Sequence, residues 1–245
     1  EIDVNFELSK SGNYVLFINF IKKNFSIPNI KKYKYESLFP IFLYNSVDCI
    51  RFILGKKLDL NECCWFDSSN LRFENSVKQY RNPFHIAIKH QFFDLLKMIL
   101  SYGSIDLNKN EVLISSGGLA TLGFSAVKKL TPLEISIYTD NKDMVNILLS
   151  IEQIDVNHLC YSCYTYGHSN YKNNLSIFYA AALHENVEIL DDLLKSNRIN
   201  KNVKSQSKMI DKGYSVNRNI EFDVDILKNV KNKKVFDVLS KYGIE

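Results

Sequence analysis

Asn82-Pro83-Phe84-His85-Ile86-Ala87-Ile88, then Leu95-Leu96-Lys97-Met98-Ile99-Leu100, then Ile105-Asp106-Leu107-Asn108, is the stretch on which the fold is read. Asn82 can cap a helix through its side-chain oxygen, and Pro83 follows at the first helical position, where its missing N–H has no bond to lose. The second segment spaces its apolar residues to make one stripe on a helix of 3.6 residues per turn. The third ends in an Asp-x-Asn turn, whose Asn is expected to bond local backbone.

The same order recurs. Thr131-Pro132-Leu133-Glu134-Ile135-Ser136-Ile137 leads to Met144-Val145-Asn146-Ile147-Leu148-Leu149 and Ile154-Asp155-Val156-Asn157. Ser176-Ile177-Phe178-Tyr179-Ala180-Ala181-Ala182 leads to Ile189-Leu190-Asp191-Asp192-Leu193-Leu194 and Ile199-Asn200-Lys201-Asn202. Earlier copies are Cys49 to Leu54 with Leu58-Asp59-Leu60-Asn61, and Ile2-Asp3-Val4-Asn5. The closing Asn recurs at steps of 56, 47, 49 and 45 residues. Val235 to Gly243 matches Leu95 to Gly103 in register, with a partner helix expected near Phe222 to Val230.

This organisation resembles the ankyrin repeat family. Asn82 to Ala87 nearly meets the pattern Thr-Pro-Leu-His-x-Ala, Thr131-Pro132-Leu133 meets its first half, and Ala181-Ala182 keeps a double Ala. The resemblance covers about residues 36 to 202. It implies an all-α, helix-turn-helix solenoid with long loops or β-hairpin fingers between repeats. The expected organisation is a single array over 1–245, with units at 1–61, 62–108, 109–157, 158–202 and 203–245 and divergent ends. The family period is about 33 residues. The surplus here falls at 62–81, 109–130, 158–175 and 203–221. The usual Gly of the inter-helix turn is replaced by His90-Gln91, Asp140-Asn141 and Glu185-Asn186.

The resemblance carries further expectations. His85 bridges hydrogen bonds between neighbouring units, a structural role. The chain is cytoplasmic, or at least intracellular, binds no cofactor and performs no catalysis. It presents a concave surface to a protein partner, with further repeats of the same chain at one or both ends. The alternative is a regulatory or targeting segment of a larger enzyme or channel. The family's Asn hydroxylation pattern is met at Leu100/Asp106/Asn108 and Leu149/Asp155/Asn157.

Composition sets the bounds. The chain has 245 residues, of which 46% are hydrophobic and 24% charged, within the range of globular proteins. The longest apolar run, Tyr14 to Ile21, is broken by Asn19 and falls short of the ~18 residues of a membrane helix. Lys, Asn, Ile, Tyr and Phe are abundant, whereas there are nine Gly, four Pro and five Arg. The favoured residues have A/T-rich codons, a bias that erodes Ala and Gly signatures. The net charge of +4 does not by itself suggest nucleic acid, and none is expected as a partner. Five Cys in a chain of this length favour free thiols in a reducing compartment. The sequence begins with Glu1, which reads as a processed or excised piece of something longer.

Chemical motifs are sparse. His158, Cys160, Cys163 and His168 could hold a tetrahedral zinc, although all four fall within eleven residues, tighter than usual finger spacing. Cys63-Cys64 beside Trp65 read as buried thiols. Ser115-Ser116-Gly117-Gly118 with Gly123 lacks the Gly-Lys-Ser/Thr ending of a phosphate loop. The lysines at 22–23, 31–34, 128–129 and 231–234 read as solvated surface, because five Arg offer few bidentate forks for phosphate. A partner surface is placed on the ends of the short helices, at Lys89, His90, Tyr138, Thr139, Leu183 and His184. The inter-helix segments add Trp65, Phe66, Arg72, Phe73, Tyr80, Tyr161, Tyr164, Tyr166 and Tyr171, since Tyr, Trp and Arg are the usual interface anchors.

Overall fold

The computed structural model describes residues 39–55, 59–61, 64–69, 76–103, 105–117, 124–166, 169–202, 205–212, 217–223, 228 and 230–244. Two short helices come first, α1 (Phe39–Leu43) and α2 (Val47–Leu54). Three rounds of two strands and two helices follow. They are β1 (Cys64–Ser69), β2 (Ser76–Arg81), α3 (Pro83–Lys89), α4 (Phe93–Tyr102); β3 (Glu111–Gly117), β4 (Phe124–Leu130), α5 (Pro132–Tyr138), α6 (Lys142–Ser150); and β5 (Cys160–Tyr166), β6 (Ser169–Leu175), α7 (Ile177–Leu183), α8 (Val187–Lys195). Strands β7 (Gln206–Lys212) and β8 (Asn217–Asp223) and helix α9 (Lys233–Lys241) close the chain.

The Asn-rich composition is used at the helix starts. Asn82 Oδ1 accepts from His85 N at 3.0 Å, and the Asn82 N–H donates back to His85 Nδ1 at 3.0 Å. Thr131 Oγ1 accepts from Glu134 N at 3.1 Å, and Asn141, Asn186 and Asn232 cap α6, α8 and α9. Each such cap satisfies an N–H left over by the first helical turn. Ser176 departs from the expected pattern, because its hydroxyl caps nothing and faces the Ser205 hydroxyl at 3.3 Å.

The turns between paired helices place Asn45, Gln91, Asp140 and Glu185 at φ of 50 to 58°. A side chain there costs of order 1 kcal/mol that glycine does not. Gln91→Gly is therefore expected to stabilise the protein by about 0.5 kcal/mol after the extra chain entropy of glycine is counted. Urea titration of the two proteins reads this, and a loss of stability would contradict it.

The Asp-x-Asn turns work differently from the expectation. The first residue makes the local bond: the Asp59, Asp106 and Asp155 carboxylates each accept from the N–H two residues on, at 2.9 Å. The closing Asn reaches forward instead. Asn61 Oδ1 accepts from Asp106 N at 2.5 Å, and Asn157 Oδ1 accepts from Asn200 N at 2.7 Å.

The chain divides into two compact units, one of Glu1–Phe66 with Tyr80–Lys109 and one of Asp67–Gln79 with Asn110–Glu245. In the first, α1 packs on α2 and α3, α2 on α4, and α3 on α4. Its core holds Ile41, Phe42, Ile50, Phe84, Ile86, Ile88, Leu95 and Ile99, each about fully buried. His85 is buried among them as a neutral imidazole. Its Nδ1 accepts from Asn82, its Nε2 donates to the Lys109 carbonyl at 2.5 Å, and burial holds its pKa down at about 4. In the second unit α5 packs on α6 and α7, α6 on α8, α7 on α8, and α8 on α9, around Leu133, Ile137, Leu148, Leu190, Leu193 and Val235. Burying one such Leu or Ile side chain stabilises by roughly 1.5–3 kcal/mol.

The molecule is not all-α. The strands join in the order β1-β2-β3-β4-β5-β6-β7-β8 as one sheet, and every pairing from β3 to β8 is antiparallel. The segments between helix pairs, read from sequence as loops or fingers of a helical solenoid, are long enough for two strands of six or seven residues each. The second strand of one hairpin also pairs with the first strand of the next, as Val127 with Cys163 and Tyr171 with Met209. The architecture is thus a helix-and-sheet mixture, and it replaces the ankyrin-type solenoid. Phe222, expected near a helix, lies in β8. No helix among the described residues is long and apolar enough to cross a membrane, and Tyr14 to Ile21 lies outside them.

Candidate functional site

Alternation along the strands sorts the sheet residues onto two faces. One face carries the row Ser115, Ala126, Tyr164, Tyr171 and Met209, each opposite the next across β3 to β7. Two residues along, the same face carries Leu113, Lys128, Ser162, Asn173 and Ser207. Part of this second row is a polar ladder: Ser207 Oγ donates to Asn173 Oδ1 at 2.7 Å, and Asn173 Nδ2 donates to Ser162 Oγ at 3.4 Å. Tyr161 belongs to the opposite face, paired with Lys129, whose Nζ lies 5.5 Å from its ring centre.

Strand β4 runs into α5 through Thr131 alone, and β6 into α7 through Ser176 alone. These short junctions leave little freedom between the sheet and the helices that follow. At the far ends of α5 and α7, the Tyr138 and His184 rings meet edge to face at 4.2 Å. Lys128 Nζ reaches over from the sheet to 5.7 Å from the centre of the Tyr138 ring, a cation–π distance. Tyr164 is close enough to Tyr138 for the two hydroxyls to interact electrostatically. Lys128, Tyr138, Tyr164, Tyr171 and His184 thereby belong to one surface, and the exposed Leu183 precedes His184 at the end of α7.

Beneath it lies a buried acid. Glu134, one helical turn before Tyr138, is 3% exposed, and its Oε2 has no hydrogen-bond partner among the described residues. Burial raises its pKa to about 7, against the opposing pull of a hydrogen bond from the Cys160 thiol. Burial, then the charge of Glu134, pushes the Tyr138 hydroxyl up, and burial holds Cys160 well above the usual thiol range. Partial burial and then the Lys128 charge lower His184. Near neutral pH the positive charge on this surface is therefore that of Lys128.

A cleft of about 610 Å³ opens beside the two rings, with Asp140 and Lys142 on one wall and Glu185 and Glu188 on the other. Three carboxylates and one lysine line it, and only one of the carboxylates meets the lysine. Lys142 Nζ lies 3.0 Å from Glu188 Oε2, Asp140 accepts from Asn186 Nδ2, and Glu185 accepts from Asn232 Nδ2 at 3.1 Å.

The residues expected to bind a partner are thus separated. Tyr138, Thr139, Leu183, His184 and Tyr164 share this surface or its margin, whereas Tyr161 is on the other face of the sheet. Lys89 is half-buried and His90 exposed at the end of α3 in the first unit. Trp65, Tyr80 and Tyr166 lie in β1, β2 and β5, and of these three residues the backbone alone is described. Arg72 lies outside the described residues. Sequence reading missed Glu134 and took Lys128 for plain solvated surface.

Strand geometry separates the two cysteines of the candidate zinc set. Cys160 and Cys163, three residues apart in β5, point to opposite faces; Cys160 is buried, Cys163 lies opposite Lys172, and His158 is exposed 3.9 Å from Asp155. No group of three metal-ligating side chains occurs among the described residues, and His168 lies outside them. Ser115 to Gly117 are part of β3, with Gly118 and Gly123 outside the described residues. Asn108 and Asn157 are exposed residues. The Asn157 amide is occupied at both ends, by the Arg198 carbonyl and the Asn200 N–H.

No family model matches the chain, and the search of curated proteins finds no match. The chain is therefore not assigned to the ankyrin repeat family.

Proposed function

We propose that the protein is a non-enzymatic binding module that docks a protein partner across the face shared by Lys128, Tyr138, Tyr164, Tyr171, Leu183 and His184. The observation that carries this reading is the distribution of exposed apolar side chains. Six large ones are exposed among the described residues; three of them belong to this surface, Tyr138 at 40%, Tyr164 at 37% and Tyr171 at 40%, and a fourth, Leu183 at 44%, stands next to His184 in the chain. Single exposed aromatics are ordinary, but a group of them rimmed by polar residues is the composition of a docking surface.

The test compares Tyr138→Ala/Tyr164→Ala with Tyr161→Ala, using the protein as bait in an extract of the cells that make it. The double variant should lose more than tenfold in affinity for whatever the wild type retains, and the Tyr161 variant less than threefold. Equal loss in both, or in neither, would remove this face from consideration.

A further inference from the structure

We propose that the Lys128 ammonium has two seats, the Tyr138 ring and the Glu134 carboxylate, and that proton loss from Glu134 moves it from the first to the second, which makes the face around Tyr138 pH-sensitive. That this face docks a partner rests on the reading above; the exchange itself is a property of the free chain.

The geometry sets up the exchange. Glu134 and Tyr138 stand four residues apart on α5, so their side chains share one side of the helix. Glu134 is 3% exposed, and its Oε2 has no hydrogen-bond partner among the described residues. A neutral carboxyl tolerates that position, whereas a carboxylate there is a buried charge that calls for a cation. Lys128 comes from β4. Its Nζ lies 5.7 Å from the centre of the Tyr138 ring, and its charge favours the ionised form of Glu134. A ring contact at a half-buried site is weak enough for the ammonium to leave it. The other groups that face Glu134 bring no positive charge. Cys160 from β5 and Tyr138 from its own helix are both held protonated, and each offers the carboxylate a hydrogen bond, as does the Thr131 backbone at the helix start. Helices α6 and α7, also packed on α5, place Lys142 and His184 at the cleft beside Tyr138, where Lys142 meets Glu188 at 3.0 Å. Burial keeps the proton on Glu134 up to about pH 7, so the exchange falls in the neutral range. Below that pH the face carries the Lys128 charge over an aromatic ring. Above it the ion pair cancels that charge, and Tyr138 loses its cation.

The test is an NMR titration of the full chain between pH 5 and 8.5, following the Glu134 side-chain carboxyl carbon, the Lys128 Cε and the Tyr138 ring. All three should move together with a midpoint at about 7, while the Tyr161 ring on the other face of the sheet stays in place. In Glu134→Gln the Lys128 and Tyr138 movements should vanish. Lys128→Gln should raise the Glu134 midpoint by about 0.5 pH unit or more, because the cation that favours the carboxylate is gone. His184→Gln removes the imidazole that meets the same ring, and the transition should remain. A Glu134 midpoint near the ordinary 4.5, a titration near 7 that leaves Lys128 unmoved, or an unchanged midpoint in Lys128→Gln would each overturn the exchange while leaving the docking face untouched. Conversely, if Tyr138→Ala/Tyr164→Ala retains a partner as well as Tyr161→Ala does, the docking face falls, and a common midpoint for Glu134, Lys128 and Tyr138 still supports the exchange.

Discussion

Glu134→Gln is expected to be as stable as wild type at pH 4.5 and about 3 kcal/mol more stable above pH 7. The cause is burial: Glu134 moves from an ordinary pKa of 4.5 to about 7 in the folded chain. Between those values the folded state holds a proton that the unfolded state has released. The stabilisation is complete below pH 4.5 and is lost as pH rises through 7. Glutamine has nearly the same shape and no proton to lose, so it removes the penalty without emptying the space under Tyr138. Urea titrations of both proteins at pH 4.5, 6 and 8 read the effect. A variant no more stable than wild type at pH 8 would show that the carboxylate is solvated or paired in the folded chain. In the first unit His85 titrates in the other sense. Its folded pKa lies at about 4, below the ordinary 6.5, so its contribution is full above pH 6.5 and is lost as pH falls towards 4. The Glu134→Gln protein should therefore show an acid-side loss that wild type partly offsets.

Arg198→Ala should cost about 3 kcal/mol. The guanidinium donates from Nη1 to the Leu149 and Ile151 carbonyls at 2.7 and 2.8 Å, and from Nη2 to the Glu152 and Ile154 carbonyls at 3.0 and 2.5 Å. These are the carbonyls at and just beyond the end of α6, where the helix leaves acceptors unpaired and its dipole favours a cation. Alanine removes the donor from all four, and only Ile151 keeps another, the Ile154 N–H at 3.2 Å. Lysine offers a compact ammonium that cannot span them, so Arg198→Lys should recover less than half the loss. Urea titration at pH 7 ranks the three proteins. A loss below 1 kcal/mol for alanine, or full recovery by lysine, would mean that water replaces the arginine at little cost.

The helices were legible because their signals are local. Apolar spacing, the Asn82-Pro83 and Thr131-Pro132 starts and the Asp-x-Asn turns all act within a few residues. Even the left-handed turns were locatable at Gln91, Asp140 and Glu185, where glycine was expected. The sheet was not legible in the same way. Strand β6, Ser169-Asn170-Tyr171-Lys172-Asn173-Asn174-Leu175, has no alternation of apolar and polar residues, because its order comes from partners 32 to 42 residues away on β7 as much as from β5. Taken as loops, the tyrosines of β5 formed one group. Taken as strand, Tyr161 and Tyr164 separate onto opposite faces, and so do Cys160 and Cys163. Arg198 escaped notice for a related reason: it stands one residue before a recognised turn, and its partners lie more than 40 residues upstream.

The face itself is tested most directly by site-specific photocrosslinking. Benzoylphenylalanine is placed singly at positions 164 and 171 on one face of the sheet and at 161 and 172 on the other, and the full chain is irradiated in an extract of the cells that make it. A shared cross-linked protein at 164 and 171 that is absent at 161 and 172 is the predicted result. Cross-links of equal yield on both faces, or confined to 161 and 172, would contradict a docking surface built on Tyr138, Tyr164 and Tyr171.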